Sequence, residues 1–300
     1  MTERAILRLI HKRVEPSGSK KIESRGLFEN RSWELKEYKA SIDYLVIQYP
    51  GGPDAYKYEA KKLSFAPMPW RTFCRWHNGP LFERDEPWRR LYCVVESKSY
   101  CRQHKRSIRA IYEYCLGMHA QDALEACKLI DRIDRTEYTV YLTDAGSGRA
   151  KVGVTRSFRF LERLSEQAHN LATVLQVTDS LYEARRAEIM VSKAGIATQA
   201  KARKLSRLTP SQIAPSLSAI AERASRMLGT EWDHSFVRVL SEATDLVYTT
   251  PEFKEDRLAG KSFDLLGYWG GHIVLRSGDA VFHVNASRLM HRDVLLVSQG

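Results

Sequence analysis

No apolar run in this 300-residue chain approaches the ~20 residues a helix needs to cross a bilayer, so no helical membrane anchor is expected in it. The N-terminal stretch MTERAILRLIHKRVEP carries charges inside a short apolar run and lacks a small-residue cleavage site, so it does not read as a secretory leader. Cysteine is scarce. Five residues, an odd number spread between Cys74 and Cys127, fit a disulfide framework poorly. Reduced thiols or metal ligands in a cytoplasmic protein are the expectation. No internal repeat recurs, and SGSKK at 17–21 is the sole low-complexity tract. Acidic residues are in deficit: 36 Asp and Glu stand against 47 Lys and Arg, a net charge of +11. That balance favours polyanionic partners, because each phosphate neutralised releases condensed counterions. Nucleic acid, DNA or RNA, is the expected partner.

With 43% hydrophobic and 28% charged residues the chain reads as globular and long enough for two or three domains. Residues 1–70 look β-rich, with SIDYLVIQY as a strand stopped by the PGGP turn at 50–53. A Cys-, His-, Trp- and Arg-dense segment follows, then IRAIYEYCLGMHAQDALEACKLID with helical spacing broken near Gly117. Residues 136–204 read as strand, turn, strand, helix, loop, helix. The first helix, SFRFLERLSEQAHNLA, aligns Phe160, Leu164, Ala168 and Leu171 on one stripe. The second opens with Ser180 and Glu183 in capping-box spacing and ends at Gly195. A third begins at Thr209-Pro210 and ends by Gly229; from about Phe263 the chain returns to β character, with a hairpin turn at Ser277-Gly278-Asp279. The terminal strands are expected to pair with the N-terminal ones.

The cysteine segment offers five candidate ligands: Cys74, His77, Cys93, Cys101 and His104. Tetrahedral zinc needs four nitrogen or sulfur donors. One set is Cys74, His77, Cys101 and His104, as two Cys-x-x-His knuckles; the other replaces His77 by Cys93. Cys115 and Cys127 lie in helical apolar patterns, where a small buried thiol suffices. Basic residues cluster at 102–109 and again at Lys193, Lys201, Arg203 and Lys204, and with interleaved aromatics they could line a groove for a phosphate backbone.

In the hairpin YLTDAGSGRAKVGVT, Gly153 interrupts a strand beside Lys151, which marks a close approach by a ligand or another backbone. Glu188 sits at the edge of an apolar helical stripe, where an unpartnered carboxylate would be costly. Tyr141, the Lys151-Val152-Gly153 run, an arginine on the next helix and Glu188 four residues after Ala184 together resemble the GIY-YIG nuclease superfamily in a divergent form. The longer pattern KVGVT, RLSEQA and EARRAE with an upstream cysteine segment is similar to the domain of unknown function 2797.

The nuclease resemblance implies a divalent-metal-dependent phosphodiesterase. Tyr141 would handle the attacking water, Lys151 would contact phosphate, Arg163 would stabilise its charge, and Glu188 would hold Mg²⁺ or Mn²⁺. Gly153, Thr155, Arg159, Gln167, Lys193, Lys201, Arg203 and Lys204 would face nucleic acid. Thr139, Lys151 and Gln167 depart from that pattern, so a module that binds nucleic acid without cutting it is the alternative. The expected fold is α+β. It comprises a β-rich region at 1–70, a zinc-knuckle-like segment at 71–130, a small GIY-YIG-like αβ module at 131–204 and a helical, then β-rich, region at 205–300.

Overall fold

The computed structural model describes residues 2–25, 30–80, 86–117, 121–146, 148–199 and 208–298. Twelve strands join one hydrogen-bonded ladder of mixed direction, which overturns the expectation of a small GIY-YIG-like αβ module between β-rich N- and C-terminal regions. Two findings account for the difference. First, β1 (Thr2–Arg25) and β2 (Asn30–Gln48) are 24 and 19 residues long, and β1 runs straight through the SGSKK tract. Second, the expected long helix at 157–172 is α3 (Phe160–Ser165), six residues only, and the chain then turns into β7 (Leu171–Thr178).

His169 anchors that turn. Its Nδ1 donates to the Gln167 carbonyl at 2.8 Å and its Nε2 accepts the Val239 amide at 3.1 Å. Burial holds the imidazole neutral, with a pKa lowered to about 4.

The chain divides into two compact units that share β1 and β2. One comprises residues 1–13, 40–111 and 241–300. Its further strands are β3 (Ala55–Tyr58), β4 (Lys62–Phe65), β9 (Ser262–Trp269), β10 (His272–Ser277), β11 (Ala280–Asn285) and β12 (Leu295–Ser298). The order is β11-β10-β9-β4-β12-β1-β2, with β3 on β2. The terminal strands do pair: β12 runs antiparallel to β1, Thr2 opposite Ser298. Gly278, at φ 57°, makes the two-residue turn between β10 and β11, a conformation that costs glycine little. Leu7, Leu45, Phe65, Phe263, Ile273 and Phe282 form the core. This unit also holds α6 (Thr244–Thr249) and the cysteine segment.

The other unit comprises residues 14–39 and 112–240, with β5 (Tyr138–Asp144), β6 (Lys151–Arg156), β7 and β8 (Ser235–Leu240) in the order β2-β8-β7-β5-β6. Its helices besides α3 are α2 (Gln121–Asp131), α4 (Leu181–Lys193) and α5 (Pro210–Leu228); α1 (Ile108–Gly117) begins in the first unit. Ser180 caps α4 by accepting the Glu183 amide at 3.1 Å, and Asp131 accepts the Leu181 and Tyr182 amides, a carboxylate placed at a helix N-terminus. Thr209 and Gln212 make a reciprocal capping box on α5, and Gly229 ends it at φ 69°. No described helix is long and apolar enough to cross a membrane.

Candidate functional site

Among the described residues, those expected to form a site fall into two groups, one in each unit. In the first unit, Cys74, Cys93, Cys101 and His104 converge, one ligand atom of each within 4.8 Å of all the others. Cys93 Sγ lies 3.9 Å from Cys101 Sγ; His104 Nδ1 lies 3.3 Å from Cys101 Sγ and 3.7 Å from Cys74 Sγ. A tetrahedron about an ion bonded at ~2.3 Å to sulfur and ~2.1 Å to nitrogen has edges of roughly 3.5–3.8 Å, so these donors can hold one metal ion with little movement.

The local chain explains the convergence. After Cys101 the backbone closes a tight turn, with the His104 and Lys105 amides on the Cys101 carbonyl. Burial pushes the Cys101 thiol up, but the His104 and Gln103 amides donate to its sulfur and bring it below its ordinary value. The Cys74 thiol, without enough such help, is pushed up by burial to about 11. Trp76 stacks flat on His104, ring centroids 4.1 Å apart, and fixes the ring's orientation.

His77, the fifth candidate, is not part of the cluster. Its Nδ1 accepts the Gly79 amide at 3.1 Å, its Nε2 faces the Arg90 guanidinium at 3.4 Å, and burial with Arg109 and Arg90 nearby lowers its pKa to about 2. The pairing of Cys74 with His77 as a knuckle therefore fails. Cys74 meets the other ligands across loops, a fact that sequence spacing cannot encode.

Two supporting residues gave no ligand signal. Arg8 on β1 is 2% exposed and donates to the Gln48 side chain at 2.7 Å, the Cys74 carbonyl at 2.8 Å and the Cys93 carbonyl at 2.6 Å. Gln48 in turn donates to the Gly52 and Tyr92 carbonyls. The legible hint was a cation inside the apolar run Ile6-Leu7-Arg8-Leu9-Ile10, because a buried charge requires partners.

In the second unit several of the expected nuclease-like residues do come together, in a closed arrangement. Tyr141 stands opposite Gly153 in the β5–β6 pair, next to a register shift against β7. Its hydroxyl, 1% exposed with the rest of the residue, accepts from Gln167 Nε2 at 2.8 Å. Gln167 Oε1 accepts from Lys151 Nζ at 3.1 Å. Arg163 pairs with Glu166 at 2.8 Å, and Arg159 reaches Glu162 and Glu166 at 3.5 and 3.6 Å. Burial raises the Tyr141 pKa, which leaves the phenol protonated. Thr155 is buried opposite Thr139, and Lys193 is exposed at the end of α4. Lys201, Arg203 and Lys204 lie outside the described residues.

Glu188 faces the buried side of α4, and its carboxylate is tied to Arg185, three residues earlier and 2% exposed. The partner that a carboxylate at a stripe edge demands is thus an arginine of its own helix.

Gly153 also has a different reason from the expected one. A methyl there would stand 2.8 Å from both Cζ and Oη of Tyr141, so the close approach is by this ring and not by phosphate. Gly153→Ala is expected to destabilise the second unit by about 1–3 kcal/mol through overpacking. Tyr141→Leu in the same background should recover part of the loss in a thermal melt. An unchanged melting temperature for Gly153→Ala would refute this account.

No curated protein and no solved structure matches the chain. The family described as "Protein of unknown function (DUF2797)" matches residues 88–260, a span that includes Cys93, Cys101 and His104 and begins after Cys74. That match lends the GIY-YIG superfamily no support. Because it covers more than half of the sequence, the chain belongs to the DUF2797 family.

Proposed function

We propose that this chain binds nucleic acid without hydrolysing it, through basic loops held in place by a structural zinc ion in the Cys74, Cys93, Cys101 and His104 cluster. The observation that carries the reading is what those loops expose. Arg75, Lys98, Arg102, Lys105 and Arg106 are all exposed on the three segments that the ligands tie together. The acidic residue among them, Glu96, is paired with Arg71. Five cations on one metal-pinned frame suit a phosphate backbone, and the chain's +11 charge adds a long-range attraction. Zinc is the metal that a tetrahedral set of three thiolates and one imidazole favours.

The hydrolytic reading requires Glu188 to hold Mg²⁺ or Mn²⁺ and Tyr141 to reach a water. A carboxylate committed to a buried guanidinium and a phenol enclosed by Gln167 and Phe160 argue against both. The hairpin cluster then serves as an internal brace.

Fluorescence anisotropy with labelled single- and double-stranded DNA and RNA tests the proposal. Affinity should fall steeply between about 50 and 200 mM salt. The triple variant Arg102→Glu, Lys105→Glu, Arg106→Glu should weaken binding across all sequences and lower the salt slope by about 2–3, with metal content unchanged. Salt-independent binding, or full affinity in the triple variant, would overturn the assigned surface. Cleavage with Mg²⁺ or Mn²⁺ that Glu188→Gln abolishes would overturn the non-hydrolytic half.

A further inference from the structure

A second set of metal-ligating side chains lies in the first unit, well separated in sequence from the cysteines. One ligand atom each of Glu252, His272 and His283 lies within 4.8 Å of the other two. The sheet places the histidines: His272 opens β10 opposite Asn285, and His283 is two residues before Asn285 on β11, so the two are diagonal neighbours on one face. Their rings meet edge to face with centroids 4.9 Å apart. Glu252, in the loop after α6, is bridged to His283 through the backbone, and the Phe253 amide donates to the His283 carbonyl at 2.8 Å.

The hydrogen bonds also fix which ring nitrogens carry protons. His272 Nδ1 is 3.2 Å from the Gly270 carbonyl, which can only accept, so Nδ1 holds the proton. His283 Nδ1 is 3.2 Å from Thr250 Oγ1. That hydroxyl already gives its proton to the Leu246 carbonyl at 2.7 Å, so it accepts from His283. Both rings therefore present Nε2 as the lone-pair atom, with Nδ1–H anchored to an oxygen. This is how a protein prepares imidazole for a metal: the outer hydrogen bond sets the tautomer and the ring angle.

We propose that Glu252, His272 and His283 form a binding site for a divalent transition-metal ion with open coordination positions. Two imidazoles and a carboxylate, with no thiolate, suit Zn²⁺, Co²⁺ or Fe²⁺ and leave at least one position for water or a ligand oxygen. The site is accessible: Glu252 is exposed, His272 half-buried and His283 buried beneath them. It differs from the cysteine cluster in chemistry. Four protein donors close that site, whereas three leave this one able to exchange its metal and to accept a further ligand.

Calorimetric titration of the full chain with Zn²⁺ and Co²⁺, after purification with the cysteine cluster loaded and without added chelator, tests the proposal. Wild-type protein should take up one further equivalent. Glu252→Gln and His272→Ala should each weaken that step by more than the ~10–100-fold typical of losing an outer-shell partner. Cys101→Ser should leave it intact, which separates this site from the structural one. Glu252 is exposed, so Glu252→Gln should melt with wild type in EDTA and carries the test even if His272→Ala folds poorly. No further equivalent in wild type, or unaltered uptake in Glu252→Gln, would overturn the site.

Discussion

Arg8→Met is expected to destabilise the first unit by about 3 kcal/mol and to weaken metal binding at the cysteine cluster by about 10–100-fold, although Arg8 touches no metal donor atom. The guanidinium supplies charged hydrogen bonds to three buried acceptors, the Cys74 and Cys93 carbonyls and the Gln48 amide oxygen. Each such bond is worth ~1.5–3 kcal/mol, and methionine leaves all three acceptors unsatisfied. Partly offsetting that loss, the cost of burying the cation disappears. That cost is visible in the Arg8 pKa, which burial lowers to about 10 against the opposing pull of Tyr92, Cys74 and Cys93. The ring face of Tyr92, 5.3 Å from the guanidinium carbon, loses its cation as well. Arg8→Lys separates charge from shape: an ammonium cannot serve acceptors in three directions as a fork does, so lysine should rescue little of the metal affinity. Denaturant melts together with zinc competition titrations measure both effects. Wild-type metal affinity in Arg8→Met would mean that the cysteine loops hold their geometry unaided.

Much of the local structure was legible because it is written in short-range chemistry. PGGP ends β2, Ser180 and Thr209-Pro210 start helices, and Gly229 and Gly278 adopt the left-handed conformations that glycine permits. What escaped was decided at long range. Phe160, Leu164, Ala168 and Leu171 keep helical spacing across a point where the backbone leaves the helix. His169 takes its two partners from the Gln167 carbonyl and the distant Val239 amide, and so directs the chain into β7. Once β7 exists, it joins β8 to β5, and the expected module becomes part of a larger ladder.

The candidate sites divide in the same way. Cys101-x-x-His104 is a local turn and could be read; that Cys93 rather than His77 completes the set depends on bridges between distant loops. At Gly153 the inference of a close approach was sound in kind and wrong in partner, because a sequence cannot say which ring will lie over a glycine. Glu188 called for a cation, and Arg185 on the same face of the helix supplies it without any ligand.

Removing the proposed metal, by Cys101→Ser or by a strong chelator, should loosen residues 93–107 while leaving β5, β6 and β7 protected. Apart from the metal, the ligand loops are held by the Arg8 bonds to the Cys74 and Cys93 carbonyls, while Arg71 on Asp293 and Tyr92 packed against Tyr44 and Val46 anchor their flanks. The apolar cluster around the thiols consists of the three cysteines, with Trp76 and Tyr100 packed against them. The backbone there makes scattered bonds between loops: the Cys74 amide on the Val95 carbonyl at 2.9 Å, Arg75 on Ser99 at 3.0 Å and Cys93 on Trp76 at 3.0 Å. Structural zinc contributes an apparent ~10–16 kcal/mol in small zinc-dependent domains, far more than these contacts could replace. The β ladder beneath has its own core in Leu7, Leu45, Phe65 and Phe282, so the loss should be local rather than global. Hydrogen exchange read by mass spectrometry should show peptides within 93–107 exchanging at near-unfolded rates after metal removal, with those from β5, β6 and β7 unchanged. Cys127→Ala, the loss of a thiol hydrogen-bonded within its own helix to the Ala123 carbonyl, serves as the control and should leave metal binding at the cysteine cluster unchanged. Undiminished protection of 93–107 without metal would make the four donors three ordinary reduced thiols beside a histidine, and the basic loops would lose the frame that the proposed binding surface needs.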